Sequence, residues 1–145
     1  MEATAGVANK AEKVIVIAGM GAVDAQAKPA CRALAAKVGG LLATSLPARG
    51  LFHDDPYCIG ISASYTTEVG HEYLAKTYLV ILVGCSLAFH LGGRGQLWPN
   101  TKMVQIEVDP LAVSQEQEVA TRHPRADTKL GVQAITETLP ANAKL

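Results

Sequence analysis

Two short, unbroken runs of apolar residues constrain the fold of this chain more than any other feature of its sequence. They are VIVIA at Val14–Ala18 and LVILV at Leu79–Val83. A strand covered by helices on both faces gives such a run, whereas a strand with one solvent face alternates apolar and polar residues. We therefore predict two buried strands here, the second starting at Tyr78, and two further strands at residues 41–44 and 103–108.

Apolar residues recur at helical spacing between these strands. The spacing predicts one helix that ends at residue 38, where Gly39 and Gly40 stop it, and two more at about residues 66–76 and 128–139. The residues expected to face inward from the last two helices are Val69, Tyr73, Leu74, Val132, Ile135 and Leu139. Strands that alternate with helices predict the α/β class, with a doubly wound, mostly parallel Rossmann-like sheet and helices on both faces.

The remaining segments set the expected domain boundaries. Residues 1–12 are small, polar and without periodicity, which predicts a tail or linker remnant and a fold that starts at Lys13. Residues 45–62 contain two prolines and two glycines, which predicts a long loop with at most a short strand near its end. We expect a single domain over residues 13–140, followed by a tail at 141–145.

Composition excludes several classes of protein. The 145 residues include 13 basic and 13 acidic side chains, so the chain lacks the excess positive charge of nucleic-acid binders. No apolar run approaches the roughly 20 residues of a membrane-spanning helix, and the N-terminus does not resemble a signal peptide. The three cysteines are widely spaced, which predicts reduced thiols without a disulfide framework or zinc site. We therefore expect a cytoplasmic protein that binds neither nucleic acid nor membrane.

In a doubly wound sheet, ligands bind outside the carboxyl ends of the strands, where the strand order reverses. The residues that follow the predicted strands are therefore the candidate binding residues. Strand alternation also places Glu107 and Asp109 on one face and Val108 on the other, an arrangement that suits a ribose. The candidates are Gly19, Met20, Gly21, Ala22, Ser45, Leu46, Gly84, Cys85, Ser86, Glu107 and Asp109.

The turn from Gly19 to Gly21 has two interpretations. Its glycines would let the backbone approach a phosphate, but a G-x-G turn between a strand and a helix is also a common steric solution without a ligand. Asp24 stands where a dinucleotide fingerprint has its third glycine. We expect Asp24 to be a helix N-cap whose charge competes with a phosphate.

No catalytic residue or metal ligand is predicted. The four histidines, at positions 53, 71, 90 and 123, have no metal-binding spacing, and Ser86 lacks a nucleophile-elbow context. Cys85 has no recognisable base partner, so we expect it to be a small packing residue.

The order of the segments resembles the central domain of thiamine-diphosphate-dependent enzymes of the acetolactate synthase type. The similarity covers about residues 13–139 and includes the A-G-x-G-A turn, the spacing of Thr44, Arg49, Gly50 and Pro56, and the PNTKMVQIEVDP block. Such enzymes have three α/β domains, and thiamine diphosphate and magnesium lie between the first and third. The chain contains no Gly-Asp-Gly metal-diphosphate motif. The resemblance thus implies a non-catalytic domain, inactive alone, of a transferase or lyase.

The resemblance also implies partners and a ligand. The partners are the two thiamine-diphosphate-binding domains of the parent enzyme, in a homo-oligomer. Some central domains hold FAD or ADP, and others are empty scaffolds. Carried over by position, Gly19, Met20 and Gly21 lie near the ligand and Ser45 and Leu46 on the flavin side; Gly84, Cys85 and Ser86 lie beneath the diphosphate, Glu107 and Asp109 at the ribose, and Asp127 near the adenine. A small NAD-linked enzyme is a weaker alternative, because one such domain leaves no second region for a substrate.

Overall fold

The computed structural model describes residues 1–10, 12–86, 91, 101–109 and 120–140. Five strands form one parallel sheet in the order β3-β2-β1-β4-β5. The strands are β1 (Val14–Ala18), β2 (Leu41–Thr44), β3 (Cys58–Ile61), β4 (Leu79–Val83) and β5 (Lys102–Ile106). The described helices are α1 (Glu2–Lys10), α2 (Met20–Asp24), α3 (Lys28–Val38), α4 (Glu68–Ala75) and α5 (Thr128–Thr138), with a 3₁₀ turn at Ala63–Tyr65.

The two apolar runs lie next to each other at the centre of the sheet. β1 pairs with β4 from Val14 opposite Leu79 to Ala18 opposite Val83, and every residue of both strands is buried. The chain extends the sheet from β1 to β2 and β3 on one side, then returns to add β4 and β5 on the other. The strand order therefore reverses between β1 and β4, which confirms the predicted α/β class and places the switch point at their carboxyl ends.

The sheet continues beyond β5 through two isolated parallel bridges. Val104 pairs with Arg122, and Glu107 pairs with Arg125. The Arg122 amide donates to the Met103 carbonyl oxygen (3.1 Å). This segment covers the backbone edge of β5, which would otherwise be open to pairing with another chain.

Each face of the sheet has its own apolar core. Alternate strand residues such as Val16 and Ile81 pack with α1, α3 and α5, while Ile17 and Leu82 face the opposite core with Leu74 of α4. Helices therefore lie on both faces, as predicted. The buried side chains of α5 include Val132 and Ile135, and Leu139 is buried just after it, so the predicted inward face of this helix is confirmed.

The N-terminal segment differs from the prediction. Residues Glu2–Lys10 form α1, which packs against α5, so the fold starts before Lys13. Thr4, Ala5 and Ala8 are buried in this contact. Small side chains let the two helices approach closely but give almost no apolar periodicity, which is why the pattern failed to indicate a helix. The predicted tail at 141–145 lies outside the described residues.

The inward face predicted for α4 is also partly wrong. Leu74 is fully buried, but Val69 and Tyr73 are 60% and 50% exposed. The helix contacts the sheet through a narrow stripe that includes Gly70, so the two larger residues point away from the core. The short strand predicted near the end of the 45–62 loop is present as β3.

Three further predictions concern the cysteines, the membrane and the glycine-rich segment. Cys31, Cys58 and Cys85 are free thiols, as predicted. No helix in the described ranges has the length and apolar character needed to cross a membrane. The glycine-rich segment after β4 and His90 fall within residues 87–90 and 92–100, which lie outside the described residues.

Candidate functional site

A cavity of about 520 Å³ lies at the carboxyl ends of β1, β2 and β4, on one side of the switch point. Most of its wall is apolar, from side chains such as Met20, Leu46 and Tyr65. Seven of the predicted binding residues line it, namely Gly19, Met20, Ser45, Leu46, Gly84, Cys85 and Ser86. We refer to it as the ring cavity, because its size and apolar lining are typical of sites for flat organic groups.

The turn beside the ring cavity uses nearly all of its own backbone donors. The Gly19 amide donates to the Val83 carbonyl oxygen (2.9 Å), and the Gly21 amide donates to that of Gly84 (3.0 Å). The Ala22 and Val23 amides both donate to the Gly19 carbonyl oxygen (3.1 and 3.3 Å). Of the turn amides, Met20 alone makes no hydrogen bond with another described residue.

The glycines of this turn are required by backbone packing. A Cβ atom at Gly19 would lie 2.3 Å from the Gly84 carbonyl oxygen, and one at Gly21 would lie 2.8 Å from the Gly84 Cα atom. Gly84 itself has a φ of +57°, and its Cβ would lie 2.5 Å from the Ala22 nitrogen. Such distances exclude any side chain, so the glycines explain the contact between the β1 and β4 ends without a ligand.

Hydroxyl and thiol groups form the polar part of the ring cavity. Ser45 and Ser62 are buried and line it together with Cys85. Ser62 is 1% exposed, and its Oγ atom has no hydrogen-bond partner among the described residues. A buried hydroxyl without a partner costs free energy, and the Ser62 Oγ atom is too deeply buried to be reached from the cavity. Sequence reasoning missed it, because a serine after a short edge strand carries no distinctive pattern.

Cys85 is placed for packing and not for nucleophilic chemistry. Burial raises the pKa of its thiol to about 12, the charge of Glu107 adds to that shift, and the Ser45 hydroxyl opposes it. A thiol needs to ionise before it can attack, so the Cys85 sulfur stays protonated near neutral pH.

A second cavity of about 540 Å³ lies on the other side of the turn. Its lining includes four carboxylates, from Asp24, Glu107, Asp109 and Asp127, so we call it the acidic cavity. None of the described lining residues is a lysine or arginine.

Two carboxylates of the acidic cavity already have backbone partners. Asp127 is the N-cap of α5, with Oδ1 accepting from the Leu130 amide (2.9 Å), and Glu107 Oε1 accepts from the Val108 amide (2.9 Å). Arg125 lies close by and donates from Nε to the Val108 carbonyl oxygen (3.2 Å).

The structure brings most of the predicted site together, but as two cavities. Gly21, Glu107, Asp109 and Asp127 line the acidic cavity, while Ala22 is buried and lines neither. Val108 lines the same cavity as Glu107 and Asp109, because β5 ends at Ile106 and strand alternation stops there.

Asp24 does not have the predicted role of N-cap. It is the last residue of α2, and the N-cap of α3 is Ala27, which makes no side-chain cap. α2 is only five residues long, so Asp24 stands at the end of this helix and not at the start of one. There it lines the acidic cavity.

The described histidines do not form a site. His53 and His71 are exposed and His123 is half-buried. Across the described ranges, no three His, Cys, Asp or Glu side chains are placed to hold a metal ion.

Comparison with known proteins agrees with this architecture. The family model for "thiamine pyrophosphate enzyme, central domain" matches residues 1–135. None of the curated proteins compared with the chain matches it. Among solved structures, a candidate thiamin diphosphate-dependent enzyme from Mycobacterium smegmatis is similar to this chain, with a TM-score of 0.78 and 24% identity. The alignment covers 96% of this chain and 27% of that one, so this chain spans about a quarter of that enzyme's length.

The structural similarity shows a shared fold, and the family match extends from α1 into α5. Together with the all-parallel sheet and its switch point, this match confirms the resemblance to the central domain of thiamine-diphosphate-dependent enzymes. The chain belongs to the family of central domains of thiamine pyrophosphate enzymes.

Proposed function

We propose that this chain is the non-catalytic central domain of a thiamine-diphosphate-dependent carboligase or decarboxylase that resembles acetolactate synthase. The observation that carries the proposal is the family match over residues 1–135 of the 145-residue chain. The sequence has no Gly-Asp-Gly motif, and its one buried thiol at the switch point is held protonated. The residues at the switch point therefore support a positioning role and not a chemical one.

In this proposal the chemistry belongs to two neighbouring domains of the parent enzyme. They would hold thiamine diphosphate and magnesium, and the parent would be a cytoplasmic transferase or lyase that works as a homo-oligomer. Val69 and Tyr73 support a contact with such a neighbour, because they are four residues apart on α4 and both exposed. A domain packed among others keeps apolar surface that its neighbours cover.

FAD or ADP is the ligand that the family resemblance suggests, and the residues of the site fit only part of it. The ring cavity, at about 520 Å³, has the volume and apolar lining of a small-molecule site. The diphosphate position fits poorly, because three of the four turn amides at residues 19–22 are already used and carboxylates lie beyond the turn. This mismatch favours the second candidate, a scaffold domain without a bound nucleotide.

Activity and assembly measurements test the proposal. The purified chain, mixed with pyruvate, thiamine diphosphate and magnesium, should show no carboligation or decarboxylation. The same chain should form a complex on size-exclusion chromatography with the two thiamine-diphosphate-binding domains encoded in its parent reading frame. Turnover that follows the chain through repeated purification, or a parent frame without such domains, would refute the proposal.

A further inference from the structure

A third cavity, of about 350 Å³, lies at the end of the sheet opposite the switch point. Tyr78 directly precedes β4 and Lys102 is the first residue of β5, so both mark the amino ends of these parallel strands. The wall on the other side comes from α1, through residues that include Val7 and Lys10. We call this the basic cavity, because Lys10, Lys102 and Arg122 line it and none of its described lining residues is an aspartate or glutamate.

The positive charge of the basic cavity has no counter-charge among the described residues. The described ion pairs all involve Asp54 or Asp55, and none of the three cavity cations takes part in one. Glu2 and Glu12, the acidic residues nearest to Lys10 in the sequence, are exposed and do not line the cavity. Because the chain has 13 basic and 13 acidic residues, the cluster does not reflect a basic composition. Like charges held together repel one another and attract an anion.

Two of the cations stand on backbone that is anchored to the sheet. The Lys102 amide donates to the Tyr78 carbonyl oxygen (2.9 Å), and Lys102 Nζ lies over the Tyr78 ring, 5.2 Å from its centroid. The Arg122 amide donates to the Met103 carbonyl oxygen (3.1 Å), and its carbonyl oxygen accepts from the Gln105 amide (2.9 Å). A ligand would therefore meet two cations that are already in place, which lowers the entropy cost of binding.

The chemistry of the lining selects the class of ligand. A guanidinium pairs with two oxygens of a phosphate or carboxylate, and an ammonium acts as a point charge, so three cations match a ligand with more than one negative charge. The cavity volume is near the lower end of the range for small-molecule sites, about 300–1,000 Å³. Val7 and the Tyr78 ring offer apolar contact to a carbon skeleton. The balanced charge of the whole chain does not favour a nucleic acid.

From these observations we propose that the basic cavity binds a small organic molecule with two or more oxyanion charges, from phosphate or carboxylate groups. The bound molecule bridges α1 to the edge of the sheet, because Lys10 belongs to the helix while Lys102 and Arg122 belong to β5 and the segment paired with it. The site lies at the other end of the sheet from the ring and acidic cavities, and it does not depend on the proposed function.

Calorimetric titration of the full 145-residue chain tests the inference, with pyrophosphate and citrate as probes at constant ionic strength. At least one of them should bind saturably with a dissociation constant at or below about 1 mM, and more weakly as salt rises from about 50 to about 200 mM. Acetate, with a single charge, should bind at least about tenfold more weakly. Tighter binding of pyrophosphate would assign a phosphate ligand, and tighter binding of citrate a polycarboxylate. No saturable binding of either probe at about 10 mM would overturn the inference.

Charge-removing variants locate the site. Lys102→Gln and Arg122→Gln should each weaken binding about two- to fivefold, because exposed ion pairs are individually weak, and together by about tenfold or more. Arg49→Gln is the matched control, since it removes the same charge from an exposed residue after β2, at the opposite end of the sheet. Lys10→Gln, on the exposed surface of α1, gives the same test if another variant unfolds without ligand. Equal effects of Arg49→Gln and Arg122→Gln would refute the site.

Two further measurements separate this inference from its alternatives. Binding should slow amide hydrogen exchange in α1, because the ligand ties this helix to the sheet. Tighter binding of a hexaglutamate peptide than of either small probe would overturn the inference in favour of an acidic segment of a partner protein. A chain that assembles with thiamine-diphosphate-binding domains but binds no small oxyanion would keep its proposed function and lose this inference.

Discussion

Gly19 and Gly84 touch through their backbones at the switch point: a Cβ atom on Gly19 would lie 2.3 Å from the Gly84 carbonyl oxygen. The Gly21 amide donates to that same oxygen (3.0 Å). The loop after β1 is therefore locked onto the end of β4 by contacts that need no ligand. This contact explains the G-x-G sequence. The glycines belong to a motif associated with phosphate binding, but here they let the backbone of the turn pack against the backbone at the end of β4.

We expect Gly84→Ala to destabilise the chain strongly. Gly60→Ala is the matched control, because Gly60 also has a positive φ (+88°) but its Cβ would meet nothing within 4 Å. The control should cost only the left-handed backbone penalty, about 1–2 kcal/mol, whereas Gly84→Ala should cost about 1–3 kcal/mol more through overpacking. Urea unfolding measures the loss of stability in both variants. Equal losses would contradict the close backbone contact proposed for Gly84.

Gly6→Ala should stabilise the chain. Gly6 lies inside α1, and an added Cβ would meet nothing within 4 Å. Alanine in a helix interior is favoured over glycine by about 0.5–1 kcal/mol, so the free energy of unfolding should rise by that amount. No change would indicate that residues 1–10 are not part of the cooperative fold.

Gly131→Ala in α5 should destabilise the chain, in contrast to Gly6→Ala. Its Cβ would lie 2.8 Å from Ile106 Cγ2 and 3.1 Å from Ala126 Cβ, so helix propensity and packing oppose each other. We expect a net loss of about 1 kcal/mol or more, because overpacking outweighs the propensity gain. Stabilisation by this substitution would show that α5 can shift away from β5 at little cost.

An exposed ion-pair network should make stability depend on pH. Lys28 and Arg32 of α3 both contact Asp54 Oδ1 at 2.9 Å, and these contacts lower the pKa of Asp54 below its ordinary value of 3.8. The Asp54 contribution is therefore present above pH 3.8 and is lost as the pH falls through the lower, folded pKa.

The comparison with Asp54→Asn measures this contribution. At pH 7 the variant should melt slightly below the wild type, by a few degrees at most, since exposed pairs are weak. The difference should shrink below about pH 4 and in high salt. A difference that grows on acidification would show that Asp54 does not stabilise the fold as a carboxylate.

The thiols should differ sharply in reactivity. Burial raises the pKa of both Cys31 and Cys85 to about 12, while Cys58 is half-exposed at the start of β3. A disulfide reagent at pH 8 should therefore modify one thiol per native chain quickly and all three after unfolding. Cys58→Ser should remove the fast reaction, and rapid modification of Cys85 would contradict its assignment as a packing residue.

The strand cores and the last helix could be predicted from sequence because each depends on a local pattern. The unbroken runs that became β1 and β4 can be satisfied only by burial on both faces, and the spacing of Val132, Ile135 and Leu139 defines one stripe of a helix. The inward face of α4 could not be predicted from its sequence. Its few apolar residues are compatible with two different faces of the helix, and the contact with the sheet buries the face that contains Leu74.

The candidate site, like the fold, was partly predictable from local sequence pattern and partly set by tertiary packing. Sequence alone determined which residues follow the strands, and hence that Gly19, Ser45, Gly84 and Glu107 meet at one edge of the sheet. Only the tertiary structure decided what they do there, because it brought the Gly84 carbonyl oxygen to the Gly21 amide and left the Ser62 hydroxyl without a partner among the described residues. A glycine looks the same in sequence whether a ligand or a neighbouring backbone needs its space, and distances between segments far apart in the chain are set by packing, which no local pattern records.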